Sequence, residues 1–370
     1  MKLKSLLLAS GAALIAVSGA RAADAVIIPE PEPVEYVRVC DAAGTGYFYI
    51  PGTETCLQIS GEVIYYAYFN DGSKASLNDE DEDTDGTIFE QAGDQTGWEK
   101  EYEISLDFNT WRDTEYGDLT TSIQLGADES SSVDSSLGDA SVVVNEAFIT
   151  LGGLTIGYTD SFYPGGNGPA DIDAEGPDTG LIGYTVDFGN GSFGIALEDD
   201  GSADWVPAIV GVVSAEFGNF SVAAAGVYDD TDDFFGAQLH VAYSAGALGI
   251  DASVQYSDDG NQVAAFNPLN VSEYSAQFEW VLGLGMDYDV NDKLTVFAGV
   301  EYGIDWYGDS TFDGSRDAID VVLVEVGADY ELVDGFTIGF QADFSDLRID
   351  NNGNQQFGFE DAEVSFTRSF

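Results

Sequence analysis

Between Arg112 and Lys293 the sequence holds no lysine and no arginine. Across 370 residues there are 11 bases against 67 acids, a formal net charge of −56. So acidic a chain repels phosphate backbones, which excludes nucleic acid and other polyanions as partners. Histidine is scarcer still, with His240 the only one. A catalytic site would have to be built on that single imidazole, which stands near Gln238 and Ser244 with nothing evident to activate a nucleophile. Long apolar runs are also missing. A spanning helix needs about 20 apolar residues, and the longest run beyond the amino terminus, "VPAIVGVV", is short and contains Pro207.

The amino terminus is the exception to that scarcity. Lys2 and Lys4 precede the apolar stretch "SLLLASGAALIAV", and Ala20, Arg21 and Ala22 form a small-x-small cleavage site. This is the pattern of a secretory signal peptide over residues 1–22, too short to anchor the chain as a helix. Its removal takes three bases and no acid, leaving 8 bases against 67 acids and a net charge of −59. Export to an oxidising space makes a disulfide the default reading for the only cysteines, Cys40 and Cys56. The alternative, a shared metal, lacks a nearby histidine or third cysteine.

High acidity with few aromatics would indicate disorder. Here 23 Phe, 19 Tyr and 5 Trp indicate a folded chain. Beyond residue 56 the apolar residues recur with the period of two that marks half-buried strands. In "YEISLDFNT", Tyr102, Ile104, Leu106 and Phe108 alternate with Glu103, Ser105, Asp107 and Asn109. In "FGAQLHVAYS", Phe235, Ala237, Leu239, Val241 and Tyr243 alternate with Gln238, His240 and Ser244. The carboxy-terminal "AEVSFTRSF" keeps the same beat up to Phe370.

The connectors fall into two alternating kinds. Tight ones stand at residues 113–117 and at the pairs Gly152 with Gly153, Asn190 with Gly191, Gly218 with Asn219, Gly246 with Ala247, Asn291 with Asp292, and Asp334 with Gly335. Between them lie longer polar segments near residues 70–97, 129–139, 161–179, 199–204, 229–234, 258–272, 306–316 and 348–355. Seven turns and eight loops join sixteen strands, most of them about the 9–11 residues that cross a bilayer at a tilt. The expected fold is all-β, a transmembrane antiparallel up-and-down barrel wide enough for an aqueous channel. Residues 57–370 would form it, after a Pro-rich, disulfide-bearing periplasmic leader over 23–56. The competing architecture is a large secreted sandwich or propeller. Aromatics near strand ends favour the membrane: Trp98, Trp111, Tyr158, Tyr228, Tyr256, Tyr288, Tyr302, Trp306 and Tyr330 suit interfacial girdles.

Four segments carry a family likeness: the start of the mature chain from "AADAVIIPEPEPVEYVRVCDAAG" to Gly61, "NEAFITLGGLTIG", "YELVDGFTI" and "VSFTRSF". Together they resemble the general porins of alphaproteobacterial outer membranes. The resemblance implies a homotrimer in outer-membrane lipid and lipopolysaccharide, passing small hydrophilic solutes, with Phe370 part of the signal read by the barrel-assembly machinery. It implies that the third long loop folds into the lumen, and this loop carries Asp171, Asp173, Glu175 and Asp178. It also implies that Ala23 is a possible site of peptidoglycan attachment.

One feature departs from the family. Porins of this kind oppose the loop acids with wall arginines, and this chain has only Arg112, Arg316, Arg348 and Arg368 in its barrel portion. Acids stand instead on the expected lumen face, at Glu103, Asp107, Asp187, Glu198, Glu301, Asp343 and Glu363. Rings of carboxylates attract cations, so a cation-preferring pore is expected. A receptor or adhesin barrel, and after it a hydrolase, are the alternatives; no catalytic residue and no cofactor is expected. Asp81, Asp83, Asp85 and Gly86 begin like a calcium loop, but Ala92 stands where the twelfth-position Glu is required and Glu90 is out of place. No metal site is expected there beyond loosely held counterions.

Overall fold

The computed structural model describes residues 38–71, 75–76, 90–91, 96–131, 137–138, 140–163, 178–199, 206–229, 234–258, 278–306, 320–349 and 355–370. Its main strands are β1 (Cys56–Asp71), β2 (Thr96–Arg112), β3 (Leu119–Ser131), β4 (Val143–Leu151), β5 (Leu154–Asp160), β6 (Asp178–Phe188), β7 (Gly191–Glu198) and β8 (Ala208–Phe217). They continue as β9 (Phe220–Asp229), β10 (Phe234–Ala245), β11 (Leu248–Asp258), β12 (Phe278–Asn291), β13 (Leu294–Trp306), β14 (Val321–Val333), β15 (Phe336–Ile349) and β16 (Gln355–Ser369). Each pairs antiparallel with the next, and β16 returns to β1, with Asp361 opposite Asn70 and Ser369 opposite Glu62. The result is a closed 16-strand antiparallel barrel. Closure removes the open edge that a carboxy-terminal strand would otherwise present.

The seam extends one residue beyond the last strand. Gly61 N–H donates to the Phe370 carbonyl at 3.1 Å, and Phe370 N–H donates back to Gly61 at 3.0 Å. A side chain at position 61 would collide with the Ser105 carbonyl at 2.6 Å and the Phe370 ring at 2.9 Å. Glycine is therefore required by close packing at the closure point.

Alternation sorts the two faces. Outward positions carry Ile182, Tyr184 and Val186 on β6, Ile195 and Leu197 on β7, and Leu282, Leu284 and Met286 on β12, all large apolar side chains left exposed by the protein itself. An apolar exterior of this extent is lipid-facing. Aromatics bound the band at both ends: Phe188, Phe217, Phe220, Tyr288 and Tyr330 toward the short turns, and Trp98, Tyr158, Tyr228, Phe235 and Trp280 toward the long loops. From Phe220 to Tyr228 the strand covers ~26 Å, or ~20 Å of height once tilted, close to the apolar thickness such barrels present. Trp111 is an exception to the expected girdle. It lies in phase with the inward Glu103 and Asp107, opposite Cys56, because the even positions of β2 are the outward ones.

Two tight turns sit one residue away from their expected positions. The turn between β6 and β7 is Gly189 with Asn190, since Gly189 takes a φ of 55° at the first turn position, where a primed hairpin turn requires a left-handed residue. The turn between β12 and β13 is Asp292 with Lys293; Asn291 stays in the strand and its Oδ1 accepts the Lys293 N–H at 3.0 Å. Two strands are also shorter than expected: β5 and β7 have 7 and 8 residues.

Val39–Phe370 forms one compact unit and Met1–Arg38 another, of which only Arg38 is described. Cys40 and Cys56 form the expected disulfide, with Cα atoms 6.0 Å apart. Cys56 opens β1, and a two-residue strand, Phe48–Tyr49, pairs with it, so the disulfide loop belongs with the barrel.

Candidate pore lining and loop seat

The inward face is polar over most of the barrel, and carboxylates dominate it. On β2 and β3 Glu103 accepts the Tyr66 hydroxyl at 3.4 Å, and Asp107 accepts Gln124 Nε2 at 2.9 Å. On β14 and β15 the Gln341 amide donates to Glu325 at 2.9 Å and lies 3.3 Å from an oxygen of Asp343. Glu363 stands opposite Gln341 on one side and Tyr68 on the other. Glutamine and tyrosine donors thus hold apart acids that would otherwise repel one another at close range. Glu301, 7 % exposed, lies inward on β13, and Asp187 is an exposed inward residue near the turn end of β6. Reading the sequence strand by strand missed further inward acids, among them Glu101, Asp128, Glu146, Asp251, Glu325 and Asp329. The two-residue period would have found each once the phase of its strand was set.

Four cations with described side chains lie off this face. Lys100 lies over the outward Trp98, 5.0 Å from the ring centroid, and Arg112 pairs with Glu54 at 2.9 Å. Lys293 sits in a turn and donates to the Leu332 carbonyl at 3.0 Å. Arg368, in phase with the outward Phe366, caps a turn by donating to the carbonyls of Gly335 and Ser369. His240 faces inward, with Nε2 3.7 Å from Asp251 Oδ2, too far for a hydrogen bond. Among the described residues, no group of three or more His, Cys, Asp or Glu side chains is placed to hold a metal ion.

The inner face of β6 to β9 differs from the rest. It presents Leu181, Gly183, Gly194, Ala196, Ala208, Val210, Ala225 and Val227, small or apolar residues where water-facing polar ones were expected. Residues 161–163, which follow β5, cover this patch. Tyr163 is 1 % exposed and packs into a cluster with Ala208, Val210, Ala225 and Val227, flanked by Phe162 and Val212. Burial pushes the Tyr163 phenol well above the ordinary tyrosine range. The chain leaving β5 therefore turns into the barrel. The run "VPAIVGVV" is the sequence signal for this seat, because a barrel strand apolar on both faces has lipid on one side and protein on the other.

Glu198 changes role in this arrangement. It ends β7 facing inward, is only 3 % exposed, and accepts Ser161 Oγ at 2.5 Å and Phe162 N–H at 2.7 Å. Its carboxylate is engaged by the chain that covers it, so it does not line the open lumen. Asp178 is also displaced from the lumen loop: it is the exposed first residue of β6, opposite Asp160 and in phase with the outward Ile182 and Tyr184. Asp171, Asp173, Glu175 and Ala23 lie outside the described residues, as do Asp81, Asp83 and Asp85. Phe370 is 63 % exposed beside Gly61 at the seam.

The porin-subfamily sequence profile matches residues 24–367. The chain belongs to the porin family. Among relatives, the porin is 33 % identical over 366 residues to Porin Omp2b of Brucella suis biovar 1 (strain 1330), covering 91 % of each chain. It is also 33 % identical over 373 residues to Porin Omp2b of Brucella neotomae, covering 93 % of each. Among solved structures, the outer-membrane channel DcaP of Acinetobacter baumannii is similar in fold, with a TM-score of 0.59 at 15 % identity over 87 % of this chain and 99 % of that one. Salmonella typhi OmpF in complex with daunomycin gives a TM-score of 0.55 at 14 % identity, covering 86 % and 98 %. This porin is an integral outer-membrane channel protein.

Proposed function

We propose that this porin is a passive diffusion channel for small hydrophilic solutes that prefers cations. The observation that carries this reading is the sign of the inner wall: carboxylates on β2, β3, β13, β14, β15 and β16, while Lys100, Arg112, Lys293 and Arg368 all stand off that face. A low-dielectric wall focuses the field of such charges into the lumen, raising local cation concentration and excluding anions. None of these four points inward, so none of them supplies the opposing pole of a transverse field of the wall-arginine kind. Liposome swelling with solutes matched in size tests this. Cationic amino-acid esters should enter faster than neutral sugars, and dicarboxylates slower; equal rates for all three would overturn the charge reading.

The same proposal includes a homotrimer in lipid and lipopolysaccharide, with Phe370 in the signal for the barrel-assembly machinery. The trimeric form of OmpT from Vibrio cholerae, similar in fold at a TM-score of 0.51, supports the assembly. Cross-linking of the native protein should give trimers and no larger closed species. Residues 1–22 act as the export signal in this reading, and the freed Ala23 is the candidate for joining to peptidoglycan. Muramidase-released peptides carrying only a free Ala23 amine would sink that link.

A further inference from the structure

We propose that Glu198 is a latch that fixes residues 161–163 against the inner wall, and that it thereby sets the size limit of the pore instead of contributing to its charge. The proposal rests on the diffusion-channel reading. Three independent features of the wall fit this tripeptide. The Glu198 carboxylate accepts from it twice, from Ser161 Oγ at 2.5 Å and Phe162 N–H at 2.7 Å, while Ser161 Oγ accepts the Tyr163 N–H at 2.9 Å. Gly183 and Gly194 leave room for the Phe162 ring, since a Cβ at these positions would lie 2.5 Å and 3.1 Å from it. Ala208, Val210, Ala225 and Val227 receive the Tyr163 ring.

The chemistry explains why an acid is needed at the end of β7. Where the chain leaves β5 it loses its ladder partners, so the Phe162 N–H must find an acceptor inside the barrel or remain unsatisfied. One oxygen of a carboxylate takes that bond, and the other takes the serine hydroxyl, whose oxygen is thereby free to accept from Tyr163. A charged acceptor makes both bonds stronger than neutral ones. With the latch closed, the aromatic side chains occupy cross-section that solute would otherwise use. The polar rim elsewhere on the wall is left to handle charge.

The variants Glu198→Gln and Glu198→Ala separate latch from charge. Glutamine keeps an acceptor for the Phe162 N–H but removes the charge; alanine removes both. Two readouts apply to each refolded variant: the size cut-off for neutral polyethylene glycols in single-channel recording, and nitration of Tyr163 by tetranitromethane, located by mass spectrometry. A latch predicts a wild-type cut-off and an unreactive Tyr163 in Glu198→Gln, with a raised cut-off and nitrated Tyr163 in Glu198→Ala. If both variants keep the wild-type cut-off and protection, or lose cation preference equally with the cut-off unchanged, the latch is wrong. Nitration does not require conduction. A non-conducting wild type would sink the channel reading, and nitration of Tyr163 in wild type and Glu198→Ala alike would separately sink the latch.

Discussion

Tyr163 is the residue on which the inner architecture turns. With 1 % of its surface exposed and a bed of four aliphatic side chains beneath it, Tyr163→Ala should cost about 3 to 5 kcal/mol of local stability, the usual loss for a buried aromatic. Urea unfolding followed by tryptophan fluorescence measures it, and a change under about 1 kcal/mol would mean the ring is not packed as described. The disulfide makes a second prediction at this scale. A bridge with a sequence separation of 16 contributes about 3 kcal/mol in the chain-entropy model. Reduction, or the pair Cys40→Ser and Cys56→Ser, should therefore lower the heat-dissociation temperature while leaving the barrel closed. Paired carboxylates offer a third. Glu325→Gln with Asp343→Asn removes two inward charges near Gln341 and should reduce cation preference, read as a smaller reversal potential, without altering the size cut-off.

At the scale of strands, the two-residue period in "YEISLDFNT" and "FGAQLHVAYS" gave the faces of β2 and β10 correctly, because lipid and water impose opposite demands on successive residues. Glycine- and asparagine-bearing pairs located the turns to within one residue, and missed at Gly189 because two glycines flank Asn190 and only the left-handed one marks the turn. What the period could not reveal was which polar inward residues face water and which face protein. Glu198 and Asp187 look alike in sequence, yet one is clasped by Ser161 and Phe162 and the other is exposed. That distinction depends on a long-range contact between the chain after β5 and the end of β7, which no local pattern encodes. The seam allows a direct test: Gly61→Val forces a side chain onto the Ser105 carbonyl and the Phe370 ring. Overpacking of this kind costs about 1 to 3 kcal/mol, so the folded, heat-modifiable form on gels should decrease, and an unchanged folded fraction would show the seam to be looser than the geometry indicates.

For the whole molecule, the decisive property is a barrel whose inner wall, among the described residues, is dominated by carboxylates. Because that field is screened over about 10 Å at 0.1 M salt and about 3 Å at 1 M, ion preference should be strong in dilute potassium chloride and decline as salt rises. A pore selective through tight coordination would keep its preference instead. The measurement that bears most directly on the account is the zero-current potential of the refolded protein in a planar bilayer under a potassium chloride gradient at low salt. A carboxylate-lined pore should give a potential displaced toward the potassium equilibrium value. A potential displaced toward the chloride value, or one at zero in channels that conduct, would contradict it.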